Sequence, residues 1–332
     1  MALISKYGTT VGSPITNTGR VFFVAPSASY VVNGNSYDSS DDNDGLSPER
    51  AVRTVARAIV LATANAGDVI QLLEGTHTVT ATVAVSKAGL TFRGSSEGYG
   101  EGSFWRPATI LTSTGTNDEL LNITADNAKF LYLTIRPTTA YSAVTWQNGT
   151  SGTAVNGAYF YRCHFDLYTP AVDISTRGID FGNRFGGTLQ NGHGYMTAQV
   201  SRVLIEDCTF ESDGAQGSAI YLATCSAIAK HCLFISTGAW ASPFVVASGA
   251  VSAALLDSDF VAWGTTGTFS SCVAGTQANA ARSIYAARCY FAATPGADAF
   301  RGFGAQEFQA VDCYYAAATD ATTVNAIARF LS

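Results

Sequence analysis

The residues whose types could do chemistry are few and widely spread. Four histidines, His77, His164, His193 and His231, show no spacing that would bring two of them onto one metal ion. The seven cysteines include no Cys-x-x-Cys pair, so they read as small hydrophobes rather than as metal or redox ligands. Ser40-Asp41-Asp42-Asn43-Asp44-Gly45 has the acids of a calcium loop, but the bidentate acid expected at position 12 is replaced by Ala51. An Asp-rich turn feeding a helix cap accounts for that segment. Glycoside cleavage needs two carboxylates about 5 to 9.5 Å apart, one with a raised pKa, and the spacing of the acids proposes no such pair. No catalytic residue, metal or cofactor is therefore expected.

Two long insertions are better candidates for binding. Residues 175–199 are rich in Gly and Asn and carry Arg177, Asp180, Arg184, His193 and Tyr195. Residues 94–107 carry Tyr99, Phe104, Trp105 and Arg106, types favoured at interface hot spots. Long loops on rigid scaffolds are where binding concentrates, and each of these is expected to cover the scaffold's flank or to make a contact.

The scaffold is legible as a repeat. Cys163, Cys208, Cys232, Cys289 and Cys313 are each followed two residues later by an aromatic, and Ser258 with Phe260 fills the one gap. Small or apolar residues stand five and three positions before each Cys, giving the register Φ-x-Φ-x-x-C-x-F. Ala128, Phe130, Leu133 and Ile135 fit with Leu for Cys, as do Val85, Lys87, Leu90 and Phe92, with Lys87 the poor fit. Steps of two keep side chains on one face of a strand, and the three-residue step turns a corner with the apolar groups still inside. From Cys208 onward the units are 24, 26, 31 and 24 residues apart, too short for helical crossovers. The predicted fold is an all-β, single-stranded right-handed parallel β-helix of about 8–10 coils. The residues just before the Cys column, Arg162, Asp207, His231, Asp257, Arg288 and Asp312, alternate in sign and predict a ladder of ion pairs between coils.

Ahead of the repeat, Ser47 as N-cap, Pro48 at the first helical position, and Val52, Val55, Ile59 and Ala62 at helical spacing predict a capping helix. Val69 to Leu73 then reads as the first solenoid strand. The expected organisation is an N-terminal arm or attachment segment at 1–44, a capping helix at 45–66, the parallel β-helix at 67–315 and a C-terminal tail at 316–332.

Composition narrows the class. Of 332 residues only 13% are charged, where about 25% is usual, and the net charge is −6 with four Lys. Clustered cations for nucleic acid are missing, no run of 18 apolar residues spans a bilayer, and residues 1–10 show no export leader. Neither nucleic acid nor membrane is an expected partner. Stacked coils cover part of their own exterior, so Thr, Ser and Ala can stand where other folds need solvated charge.

The string from Asp44-Gly45-Leu46-Ser47-Pro48-Glu49-Arg50-Ala51-Val52 through Gly67-Asp68-Val69-Ile70, with the repeated coils, resembles right-handed parallel β-helix proteins of the pectate-lyase-like superfamily, over about residues 38 to 315. Lys6-Tyr7-Gly8-Thr9-Thr10 and Gly19-Arg20-Val21-Phe22-Phe23-Val24 look like the start of phage-encoded members of that fold. The resemblance implies a non-catalytic virion structural protein in the phage particle, assembled in the host cytoplasm. It would be a capsid-decorating or head or tail appendage subunit, homotrimeric, contacting capsid or other virion proteins or a host-surface glycan. The alternative it implies is a carbohydrate-active enzyme, a tailspike-type polysaccharide depolymerase or lyase, and a bacterial surface adhesin is a third, weaker reading. Asn191-Gly192-His193-Gly194 matches the Gly-His-Gly triplet of polygalacturonases, but the accompanying Asn-Thr-Asp, paired Asp and Arg-Ile-Lys elements are absent from the solenoid.

Overall fold

The computed structural model describes residues 19–95, 106–114, 119–137, 142–146, 155–167, 177–180, 200–212, 218–222, 225–236, 244–247, 252–262, 271–275, 283–293, 298–301 and 308–317. Their strands form three parallel sheets of ten, nine and eight strands, and the chain visits the sheets in rotation. Each turn adds one strand to each sheet at about 4.8 Å per rung. Parallel crossovers of this kind are right-handed. The predicted parallel β-helix is the observed fold, with an antiparallel hairpin, Ser29–Val32 with Asn35–Asp38, beside its N-terminal end.

The repeat register holds because its inward positions stack. Phe165, Phe210, Phe234, Phe260 and Phe291 lie face to face with centroids 4.5, 4.9, 4.5 and 4.8 Å apart, and Tyr315 follows at 5.5 Å. A second stack, Phe92, Phe130 and Phe160, runs inside the ten-stranded sheet at 5.0 and 4.9 Å. Both belong to one continuous core. The corner between them is a single left-handed residue: Tyr132, Arg162, Asp207, His231, Asp257, Arg288 and Asp312 all have φ between 48 and 57°. Asp, a residue that tolerates this region, takes three of the seven corners, and no β-branched residue takes any. Their side chains form the expected ladder, with Arg162–Asp207 at 3.3 Å, His231–Asp207 at 3.4 Å and Arg288–Asp257 at 2.6 Å.

The Cys column is held by the backbone. Each thiol donates to the carbonyl two residues earlier, Cys208 to Glu206 at 3.3 Å and Cys232 to Lys230 at 3.4 Å among them. Ser258 does the same to Leu256 at 2.8 Å and accepts the Cys232 amide at 3.1 Å. Burial pushes the Cys232 thiol up to about 12, which keeps it protonated and unreactive. Ser258→Ala should then cost about 1–2 kcal/mol through two lost buried hydrogen bonds, while Ser258→Cys restores the column and should cost less. Urea unfolding of the two variants checks this, and equal losses would contradict it.

The first coils differ from the sequence reading. Phe92 pairs with Phe130 in the ten-stranded sheet, so the frame that put it beside Ile135 is five residues out of step. Gly94 stands at the corner, its amide bonded to Leu131 O at 2.9 Å as Tyr132 bonds Tyr161 O at 3.1 Å. A Cβ there would meet Tyr132 O at 2.1 Å. Lys87, freed from an inward role, donates to Val60 O and Ala62 O at 2.7 and 2.6 Å and closes the C-terminus of the capping helix.

That helix is shorter than the 45–66 expected. Pro48–Arg50 makes one 3-10 turn, with no side-chain cap from Ser47, and the α-helix is Val55–Leu61, capped by Thr54 accepting from the Arg57 amide. The reason is competition for backbone: Val52 exchanges bonds with Phe23 and Ala25 at 2.9 Å, and Asp41 binds the amides of Arg53 and Thr54 at 3.0 and 2.9 Å. These contacts hold 51–54 extended. Likewise the segment expected as an arm, 1–44, supplies Val21–Val24 as the first strand of the ten-stranded sheet, in register with Val69 to Leu72. Among the described residues no helix is long and apolar enough to cross a membrane.

Candidate functional site

On the outer face of the nine-stranded sheet, the strands Thr134–Arg136, His164–Asp166 and Thr209–Ser212 lie side by side. Register places Thr134, His164 and Thr209 in one row, and Asp166 next to Glu211 in another. Two carboxylates thus project from adjacent rungs, about 4.8 Å apart at the backbone. Arg136 Nε donates to Asp166 at 2.7 Å. Arg106 donates to both oxygens of Glu211, at 2.7 and 2.6 Å, from 105 residues away in sequence. His164 Nε2 meets Glu211 at 3.1 Å.

His164 is 1% exposed and its Nδ1 has no hydrogen-bond partner. Thr134 fixes the overlying chain by donating to Pro107 O at 2.8 Å. The hydrogen bond from His164 holds the Glu211 carboxyl below its usual range, and Arg106 adds to this against the opposing effect of burial. Glu211 is therefore an anion at neutral pH. In a chain that is only 13% charged, five ionisable side chains converge on three rungs whose outward positions the fold does not need to be charged.

The residues named from the sequence are not what makes this cluster. Arg177 and Asp180 bound a strand of the eight-stranded sheet, Arg177–Asp180, on another face. Arg184, His193 and Tyr195, and Tyr99, Phe104 and Trp105, lie outside the described residues. Among the described residues, Arg106 from the 94–107 insertion joins the site. The missed acids had a signal: Asp166 and Glu211 each directly follow the stacked Phe, in Cys-His-Phe-Asp and Cys-Thr-Phe-Glu, with Arg136 at the same place in Leu-Thr-Ile-Arg. Among the described residues no group of three or more His, Cys, Asp or Glu is placed to hold a metal ion.

The chain matches no family model and no curated protein. Solved structures do share its frame. Pectin methylesterase PemA from Erwinia chrysanthemi aligns with a TM-score of 0.55 and 12% identity, over 93% of this chain and 92% of that one. Pectin methylesterase from Aspergillus niger, in penultimately deglycosylated form, aligns at 0.52 and 12% over 84% and 89%. A pectin methylesterase in complex with a hexasaccharide aligns at 0.53 and 13% over 93% and 92%. A phage protein, ORF18 of Geobacillus virus E2, aligns at only 0.39, over 80% of this chain and 58% of that one, too distant a likeness to bear on function. At such identities the comparison establishes the frame and not the chemistry. The expectation of a chain without catalysis is corrected to this extent: the frame found here is shared with enzymes, the pectin methylesterases.

Proposed function

We propose that the chain is a carbohydrate-active protein that de-esterifies a polysaccharide on the outer face of its nine-stranded sheet. The observation that carries this reading is the pair of carboxylates, Asp166 and Glu211, on adjacent rungs, each accepting from its own guanidinium. A glycosidase needs one carboxyl kept protonated to donate to the leaving oxygen, whereas each of these acids accepts from a guanidinium. Two carboxyl groups flanked by Arg106 and Arg136 suit attack on an ester. One carboxylate takes a proton from the water that adds to the ester carbonyl, and a guanidinium stabilises the oxyanion. The C–O bond to the alcohol then breaks, and the alcohol leaves with the proton the carboxylate had taken. His164 positions Glu211 from beneath.

Methanol and acetate release from methylated and acetylated pectins tests this. Glu211→Gln and Asp166→Asn should each lower the rate about 100-fold. Unchanged rates would reduce the cluster to a salt-bridge network, and unsaturated uronides or new reducing ends would replace de-esterification by chain cleavage. The likeness of residues 6–24 to the start of phage-encoded β-helix proteins supports a setting for this activity: a homotrimeric tailspike-type component of a virion that meets a host-surface glycan. Sizing of the purified protein and mass spectrometry of particles test that setting.

A further inference from the structure

The row that holds Thr134 and the buried His164 continues beyond the site. Register continues it through Thr209, Leu233, Asp259, Tyr290 and Tyr314, one residue per rung. Exposure rises along it, from 1% at His164 and 5% at Thr209 to an exposed Asp259, then 40% at Tyr290 and 43% at Tyr314. The parallel row from Glu211 runs through Ile235, Val261, Ala292 and Ala316, aliphatic side chains that leave the floor beside the two tyrosines low. Neighbouring outward tyrosines on an open face, in line with a closed polar site, are not explained by packing of the coil. The rings that stack in the core are those of the following residues, Phe291 and Tyr315, on the opposite side of the same strands.

We infer that this open row is a polymer-binding lane, in which Tyr290 and Tyr314 stack on sugar rings at a subsite remote from Asp166 and Glu211. The inference rests on the carbohydrate-active reading of that site. An aromatic face is matched by the C–H face of a pyranose, its hydroxyl and Asp259 by the ring hydroxyls. Tyr314 stands four rungs from the strand of Glu211, about 19 Å at 4.8 Å per rung. An extended pyranose chain advances by close to one strand spacing per unit. A sugar reacting at Glu211 is therefore joined to one lying on Tyr314 only in a chain of roughly five units or more.

Binding of size-fractionated oligogalacturonides and cello-oligosaccharides, two to eight units long, tests this by calorimetry. Affinity for at least one series should rise about tenfold between four and seven units, as expected for one or two aromatic contacts. Tyr290→Ala with Tyr314→Ala should remove that rise, and Tyr290→Phe with Tyr314→Phe should keep it, because the ring is what stacks. A wild-type affinity independent of length, or a rise that survives the Ala pair, overturns the lane. If ester release still depends on Glu211 in that case, the site reading stands without the lane. Absence of binding at every length, with no ester release, removes both.

Discussion

Phe234→Ala should destabilise the chain by about 3–5 kcal/mol, a large share of the roughly 5–15 kcal/mol that holds a domain folded. Phe234 is fully buried. Its ring lies 4.9 Å from Phe210 and 4.5 Å from Phe260, within 5° of parallel to both, and Phe244 from a neighbouring sheet closes its edge at 6.2 Å. Truncation therefore opens a void in the middle of the stack and removes two stacked pairs together. Relaxation cannot fill it easily, since rungs above and below are fixed by continuous hydrogen-bond ladders. Because each coil contacts mainly its neighbours, the loss also weakens coupling between the coils on either side. Urea unfolding should show a lower midpoint and a broader or split transition, whereas Phe234→Leu should keep one transition with a smaller loss. A loss below about 1 kcal/mol for Phe234→Ala would mean that the stack is not what sets the core.

What the sequence made legible follows from what a solenoid repeats. The Cys column, the Phe column and the corner residues recur because every rung meets the same inward geometry, so five cysteines and one serine suffice to define the coil. The register is ambiguous in sequence where the repeat is not yet established. Leu90 and Phe92 satisfy the same two-residue step whichever sheet they occupy, and only Gly94, which must let Tyr132 O approach, distinguishes the two frames. The helix was overextended for a related reason. Apolar spacing over 52–62 is helical throughout, but Val52 is committed to Val24 as a strand partner, a long-range contact that local periodicity does not encode.

The site was less legible than the fold. Charges just before the Cys column stood out because they alternate, and they proved to be structural corner pairs. Asp166 and Glu211 lie just after the Phe, in a column that elsewhere holds Ile235, Val261 and Ala292. Two acids in a mostly aliphatic column are a departure from the repeat, and departures rather than regularities mark function on a repetitive frame. His164 shows no ligand spacing along the chain, because its partner Glu211 is 47 residues away and one rung up.

Lowering the pH should unfold the chain through a different histidine. His77 faces inward on the first strand of the nine-stranded sheet, in register with Leu111, and its Nε2 bonds Leu73 O at 2.7 Å. Burial pushes its pKa down to about 4, against the weaker opposing pull of that carbonyl. The unfolded chain takes up a proton near 6.5, so between about pH 6.5 and 4 the unfolded state binds more protons than the folded one, and stability falls as pH falls. Its stabilising contribution is fully present above about pH 6.5 and diminishes by about 2 kcal/mol at pH 5 and about 3 kcal/mol at pH 4. Glu211, whose carboxyl is also held low, changes stability in the same direction, but only below its unfolded value of about 4.3. The window from pH 7 to 5 therefore isolates the histidine. His77→Gln retains an N–H for Leu73 O and does not titrate. Unfolding free energies of the two proteins should run parallel above pH 7, with the wild type dropping about 2 kcal/mol further by pH 5. Curves that stay parallel to pH 5 would show that His77 is hydrated or charged in the folded chain.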